Sequence, residues 1–260
     1  MSEADSARPT HPAGDEDLVV RFRNVSKSYH RYEKRPFLLR NVLRTLVGDR
    51  PTAPEFWPLL NASFDIRRGE FVGIVGHNGA GKSTLLRLLA GASIPTRGQV
   101  SVRGRVSPLL ALGTGFMPDM TGRECIEVNG MALGLTRDEI REKQDDMLRF
   151  AELETFADTP IRYYSSGMVS RLGFAVGAFS EPDVFLLDEV LAVGDLGFQE
   201  KCIACVKSMV ATGCAVVLVT HDTTAVVTHC SRALWLADGT LRDGTPQEIV
   251  DGYVASYGTG

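Results

Sequence analysis

The stretch "GHNGAGKST", residues 76 to 84, constrains this chain more than any other. It has the spacing Gly-x-x-x-x-Gly-Lys-Ser, with Gly76, Gly81, Lys82 and Ser83 at the fixed positions. The run before it, "EFVGIVG", is almost wholly apolar and reads as a strand buried in a parallel sheet. The run after it, "STLLRLLAG", reads as a helix. A strand, a glycine loop and a helix in that order gather successive backbone N–H groups around phosphate oxygens, and the helix dipole favours the negative charge. Gly76, His77, Asn78, Gly79, Ala80, Gly81, Lys82, Ser83 and Thr84 are therefore the candidate nucleotide cradle. Lys82 is expected to bridge the β- and γ-phosphates, and Ser83 to offer its hydroxyl to Mg²⁺. A glycine-rich turn with a chance lysine is the bland alternative, and the strand and helix on either side argue against it.

A complement lies further along. "DVFLLDE" is an apolar strand ending in Asp188 and Glu189, and α/β sheets bind ligands at the carboxyl ends of their strands. Asp188 is the candidate to hold Mg²⁺ through water, and Glu189 to polarise an attacking water. An acidic pair closing a strand can also be a plain solvated turn. His221 closes another apolar strand, "AVVLVTHD", where it would hydrogen-bond the γ-phosphate or the attacking water. Tyr29, near the end of the first strand-like run, is placed to stack on adenine. In "YYSSGMVSRLGF", Ser165, Ser166 and Gly167 open a helix-like run. They read as an ordinary N-cap or as a helix N-terminus aimed at a phosphate.

Composition bounds the rest. A chain of 260 residues suits one large α/β domain or a core with a subdomain. Its net charge of -4 offers no basic field, so nucleic acid is not an expected partner. The cysteines number five and are irregularly spaced, and the lone C-x-x-C of Cys202 and Cys205 reads as helix rather than metal knuckle. A reducing, cytosolic compartment fits. The N-terminus, "MSEADSARPTHPAGDEDL", lacks the apolar core of a signal peptide, and no run reaches the length of a membrane span.

Along the chain, residues 1–17 read as a disordered tail and 18–255 as the folded domain, with 256–260 as a short tail. "LVVRFRNVSKSY" alternates like a strand, and "FDIRRGEFVGIVG" reads as strands joined near Gly69. Residues 118 to 163 are rich in charge and helix formers, as an inserted helical subdomain over about 118–175 would be. Strand-like runs then return, with Asp238-Gly239 marking a hairpin.

Taken together, these motifs closely resemble the ATP-binding subunits of ABC transporters. The resemblance spans about residues 18 to 255 and implies a RecA-like P-loop core, an antiparallel β side and an inserted helical subdomain. It also implies ATP as substrate and Mg²⁺ as cofactor. The family's signature, usually LSGGQ, appears as "YSSGM", Tyr164 to Met168. By that resemblance, Ser165 and Gly167 contact the γ-phosphate of ATP held by a second subunit, so that two nucleotides are enclosed in a head-to-tail homodimer. "AVGD", Ala192 to Asp195, falls at the family's D-loop, and His221 matches its switch histidine.

"YSSGM", "DEVLAVGD", "GRVSPLLALGTGFMPDMTGRE" and the segment before "FWPLLNASF" are similar to the polysaccharide-export branch. That likeness implies a separate transmembrane permease as partner and a lipid-linked glycan of O-antigen, capsule or teichoic-acid type as cargo. It places the protein peripherally at the cytoplasmic face of a bacterial inner membrane. The glutamine that most relatives carry at the opening of the helical subdomain is missing, and "LALGTGF", Leu110 to Phe116, stands there. An extra C-terminal glycan-binding domain is not expected, since the chain stops at Gly260. Rival readings are an exporter of drugs or small molecules, and a non-transport ABC protein acting on DNA or ribosomes. The first is disfavoured by "YSSGM" and "LALGTGF", the second by the absence of a second ATPase unit or long coiled-coil insertion. Finally, "RPFLLRNVLRTLVGDR" puts Leu39, Val42, Leu43 and Leu46 on one helical face, with Arg35, Arg40 and Arg44 on or beside the other. Such a helix suits an anionic membrane surface or a partner, and equally its own domain. Its occurrence in the export branch turns the expectation for residues 35–47 to the membrane-facing side.

Overall fold

The computed structural model describes residues 16–30, 55–109, 116–188 and 194–257. Its strands form two sheets. In the first, β1 (Leu18–His30) lies between β2 (Glu55–Arg67) and β4 (Arg97–Val102), all antiparallel. The second has the order β5 (Val106–Leu109), β6 (Val184–Asp188), β7 (Ala215–Val219), β3 (Phe71–Val75), β8 (Arg232–Ala237), β9 (Thr240–Gly244). Its neighbours run parallel except β8 and β9. That pair is a hairpin whose turn residues, Asp238 and Gly239, have φ of 48° and 76°. Two successive positive φ values make the tight turn that matches strand twist, which explains Asp-Gly at that point.

Every residue of β3 and β7 is buried, as their unbroken apolar runs require of strands covered on both faces. Alternation decides which cover each side chain meets. Val72, Ile74, Val217, Val219 and Leu234 share a core with β1, β2 and helix α1 (Lys82–Leu89). Phe71, Val75, Val216, Leu218 and Ala233 point the other way. There they meet Phe174 of α4 (Ser166–Phe179) and Phe198 of α5 (Leu196–Ala211). Val226 of α6 (Thr223–His229) and Val250 of α7 (Pro246–Tyr257) complete that layer.

The helical block has a core of its own. Ile126 of α2 (Gly122–Ala132), Ile140 and Leu148 of α3 (Arg137–Ala151), and Leu172 and Val176 of α4 form it. Capping boxes start α2 and α3: Thr121 with Glu124, and Thr136 with Glu139. Phe150 stitches the block to the sheet layer, with its ring centroid 5.9 Å from Phe174 and 5.8 Å from Phe198. The helices of the block extend to Phe179, past the 175 expected, because the last turns of α4 pack on the sheet. Helix α7 continues to Tyr257, beyond the boundary placed at 255. At the other end, the Asp17 carbonyl accepts a hydrogen bond from the Arg68 N–H at 2.7 Å, so Asp17 is part of the fold.

All five cysteines are free thiols. Burial pushes Cys202, Cys214 and Cys230 up to about 12, so reactive thiolate is disfavoured at each. The amphipathic segment 35–47 lies outside the described residues, as do residues 1–15 of the N-terminal tail.

Candidate active site

Strand β3 delivers the glycine loop to the carboxyl end of the sheet, and Gly81 serves as N-cap of α1. Gly81 has φ 110°, and a Cβ there would lie 2.3 Å from the carbonyl oxygen of Pro58 on β2. Gly79 has φ 83° with nothing within 4 Å of its ideal Cβ position, so its outer side is open. One glycine is held by contact and the other faces space. The Lys82 ammonium donates to the carbonyl oxygens of Gly76 at 2.6 Å and His77 at 3.1 Å. Its charge is thus held over the concave side of its own loop.

The loop forms one wall of an open cleft of about 580 Å³. Asn78, Gly79, Gly81, Lys82, Ser83 and Thr84 line one part of it, and Asp188 at the end of β6 another. Tyr29, Phe56 and Pro58 from the antiparallel sheet complete the lining, with Pro58 against Gly81 of the loop. The cleft therefore joins three regions the sequence had singled out separately: the glycine loop, Asp188 and Tyr29. His77 is exposed on the loop, and Ala80 is buried beneath it with its N–H donating to the His77 carbonyl at 3.1 Å.

His221 is exposed just past the end of β7, next to the strand that carries Asp188. The turn around it is fixed: the Asp222 N–H donates to Thr220 Oγ1 at 3.0 Å. Asp222 in turn caps α6 by accepting from the Thr224 and Ala225 N–H groups. His221 is not among the described residues that line the cleft. Glu189 lies outside the described residues, as do residues 110–115 of "LALGTGF" and residues 192 and 193 of "AVGD".

Ser165 is the N-cap of α4, its Oγ accepting from the Met168 N–H at 3.2 Å. Ser165 and Ser166 are exposed, and a Cβ at Gly167 would meet only Ser165 Oγ, at 3.8 Å. The helix start is fixed from behind by Tyr164, which is buried and whose hydroxyl donates to the Phe156 carbonyl at 2.7 Å. Burial raises the Tyr164 pKa above the ordinary tyrosine value. None of Ser165, Ser166 and Gly167 lines the cleft of its own chain.

The family described as ABC transporter matches residues 59–192. The O-antigen export system ATP-binding protein RfbB of Klebsiella pneumoniae is 40% identical over 243 residues, covering 90% of this chain and 97% of that protein. The chain belongs to the ABC transporter family. The teichoic acids export ATP-binding protein TagH of Bacillus anthracis is 38% identical over 235 residues, or 90% of this chain and 42% of the longer relative. Among solved structures, a dimeric ATP-binding cassette in a post-hydrolysis state, bound to ADP and Pi, superposes with TM-score 0.70 at 25% identity. It covers 87% of this chain and 98% of the solved one.

The donor set of the cleft suits a Mg²⁺ ion. Ser83 and Asp188 put a hydroxyl and a carboxylate into the same cleft. Among the described residues no group of three or more His, Cys, Asp or Glu could build an all-protein cage. Few protein oxygens, with water and phosphate completing the sphere, is how Mg²⁺ is ordinarily held.

Several residues of this ABC subunit escaped the sequence reading. Phe56 and Pro58 line the cleft from β2, and Arg87 lines it from α1. The Tyr29↔Phe56 pairing would have revealed Phe56, had the strand partner been known. Arg171, on α4, is the other. Its guanidinium binds Glu152 at 2.8 Å and Asp195 at 2.6 Å and lies over the Phe198 ring at 4.7 Å. Asp195 caps α5 through the Phe198 N–H, and that hydrogen bond with the Arg171 charge holds its carboxyl below the usual range. Arg171 thus ties α4 to the residue that caps α5.

Proposed function

We propose that this chain hydrolyses ATP in a head-to-tail homodimer and thereby powers export of a lipid-linked polysaccharide through a separate transmembrane permease. The observation that carries the reading is the match, over nearly its whole length, to a relative named for O-antigen export, with a second relative named for teichoic acids export. O-antigen, capsule and teichoic-acid glycans are the cargo class. Among the described residues no helix is long and apolar enough to cross a membrane, so the proposed work at the cytoplasmic face of a bacterial inner membrane is peripheral.

The chemistry follows from the site. The triphosphate occupies the loop side of the cleft, where the N–H groups of residues 76–84 and the Lys82 ammonium meet its negative charge. Ser83 and Asp188 would hold Mg²⁺, which would neutralise charge on the phosphate oxygens. Glu189, next in sequence after Asp188, accepts the proton of the attacking water, and His221 orients that water or the γ-phosphate. Tyr29 stacks on the adenine. Ser165, Ser166 and Gly167 are presented outward at the start of α4, and a second copy brings them onto the exposed side of the triphosphate. ATP then bridges the copies, and its loss releases them.

Deletion of the gene, followed by analysis of surface glycans, tests the reading. Loss of one glycan with its precursor retained inside the cell is expected, and restoration by the wild-type chain but not by Lys82→Ala. Unchanged surface glycans with altered drug tolerance would overturn it in favour of a small-molecule exporter.

A further inference from the structure

The antiparallel sheet holds a second pocket, of about 300 Å³, which shares no described lining residue with the nucleotide cleft. Alternation along β1 turns Val20 and Phe22 into the core and Arg21 and Arg23 to the outer face. Strand pairing then sets Arg21 opposite Ser101 and Arg23 opposite Gln99 on β4. Arg103, two residues past Ser101, falls on the same face, and its backbone N–H donates to the Val19 carbonyl at 2.8 Å. Three arginines, an amide and a hydroxyl therefore line one hollow. The start of β1 supplies an apolar wall. Leu18 pairs with Arg67 and Val20 with Ile66, so Val19 is an extra residue in the strand. This bulge leaves Leu18, Val19 and Val20 buried in succession.

Among the described residues that line the pocket there is no Asp or Glu. The carboxylate beside it is Asp65, opposite Arg21 on β2. Arg23 grips Asp65 through both terminal guanidinium nitrogens, at 2.7 Å each, while the Arg21 Nε lies 3.9 Å from the same carboxylate. Asp65 thus balances one of the three charges and fixes the direction of Arg23. Glu16 and Asp17, just before β1, are exposed. Like charges side by side on a sheet face repel, so gathering them has a cost to the fold. A phosphate offsets that cost, because guanidinium forks match its oxygens in pairs. Gln99 and Ser101 add neutral donors. The volume exceeds that of a lone ion and lies at the small end of ligand pockets, and the Leu18–Val20 wall suits an organic part.

We propose that this pocket binds a small soluble phosphoanion, a pyrophosphate or an organic phosphate, at a site separate from the nucleotide cleft. Inorganic pyrophosphate is the probe, titrated into the purified full chain by calorimetry with EDTA in place of Mg²⁺. A Lys82→Ala background weakens the phosphate loop, so that the second site is read by itself. Binding should persist in Lys82→Ala and weaken by about tenfold when Arg103→Ala is added, through loss of charge-assisted hydrogen bonds. Arg103→Lys keeps the charge without the fork and should recover only part of the affinity. Ser101→Asp sets a carboxylate opposite Arg21, leaves all three arginines in place, and should abolish binding. Arg23→Ala is the poorer probe, because it would release Asp65 toward Arg21. In the chain that retains Lys82, Arg103→Ala and Ser101→Asp should unfold thermally and turn over ATP much as the wild type does, which separates loss of the site from loss of the fold. Should Arg103→Ala fail to fold, Ser101→Asp decides. Pyrophosphate binding that vanishes in Lys82→Ala alone, or that is unchanged by Arg103→Ala and Ser101→Asp, would overturn the site. Arg103-dependent binding to vesicles of phosphatidic acid and phosphatidylcholine, without pyrophosphate binding in Lys82→Ala, would overturn the soluble ligand in favour of a membrane headgroup.

Discussion

Alanine at Gly79 and at Gly81 adds the same methyl group to the same loop, yet the structure demands very different outcomes. At Gly79 the added carbon meets nothing within 4 Å, and the penalty is the φ of 83°. A left-handed backbone costs a non-glycine residue about 1–2 kcal/mol. At Gly81 the φ of 110° lies outside even that well, at a cost of about 1–3 kcal/mol. The new carbon would also sit 2.3 Å from the Pro58 carbonyl oxygen and 3.1 Å from its carbon. These are backbone atoms of a paired strand, so no side-chain rotation relieves them, and overpacking of this kind adds about 1–3 kcal/mol. The expected losses are therefore about 1.5 kcal/mol for Gly79→Ala and about 4 kcal/mol for Gly81→Ala. For a domain of this size that is a Tm lower by about 3–6 °C and about 8–16 °C respectively. Function should follow the opposite proportion at Gly79. Its methyl projects into the open side of the phosphate loop, so ATP affinity should fall by more than the stability loss would suggest. Thermal and urea unfolding of the nucleotide-free proteins, with ATP binding measured alongside, decides the matter. If the two variants unfold within about a degree of each other, the close approach of β2 to the loop is not what fixes glycine at position 81.

Three other expectations address different parts of the molecule. Glu189→Gln keeps shape and removes the base, so ATP should still bind while turnover falls by roughly 10²-fold, about 2.7 kcal/mol of barrier; near-normal steady-state hydrolysis would remove Glu189 from its role. Ser165→Arg places bulk and charge on the outward start of α4, and should abolish ATP-dependent dimers on gel filtration while sparing ATP binding to the monomer; persistent dimers with full hydrolysis would return Ser165 to a plain helix cap. Asp183 accepts from the Arg105 N–H at 2.8 Å and from Arg68 at 2.7 Å. Burial alone would raise its pKa, but these hydrogen bonds and the two guanidiniums outweigh it, and the carboxyl sits below the usual aspartate value. A depressed native pKa means stability present above the unfolded value and lost as pH falls through the native one. Asp183→Ala should thus cost about 2 kcal/mol by urea unfolding at pH 7, with the gap closing below about pH 4. A gap independent of pH would show that the lost charge is not its cause.

Local chemistry made much of this protein legible from the sequence. The glycine loop declares itself because its spacing, the apolar strand before it and the helix after it are all contiguous. The Asp238-Gly239 hairpin and the Ser165 cap were equally readable, since turn dihedrals and orphan helix N–H groups impose residue types within a few positions. The unbroken apolar character of "FVGIV" and "AVVLV" marked them as buried strands. It could not say which strands are neighbours, because every buried parallel strand looks alike along the chain. Only the tertiary structure decided that β3 lies between β7 and β8, and that β6 carries Asp188 to the rim of the cleft beside the loop. The same holds for Phe56, which reaches the cleft through its pairing with Tyr29. It holds too for Arg171, whose partners Glu152 and Asp195 lie 19 and 24 residues away on opposite sides of it. Pattern reports the periodicity of one segment, whereas a site assembled from several segments depends on the packing that brings their surfaces together.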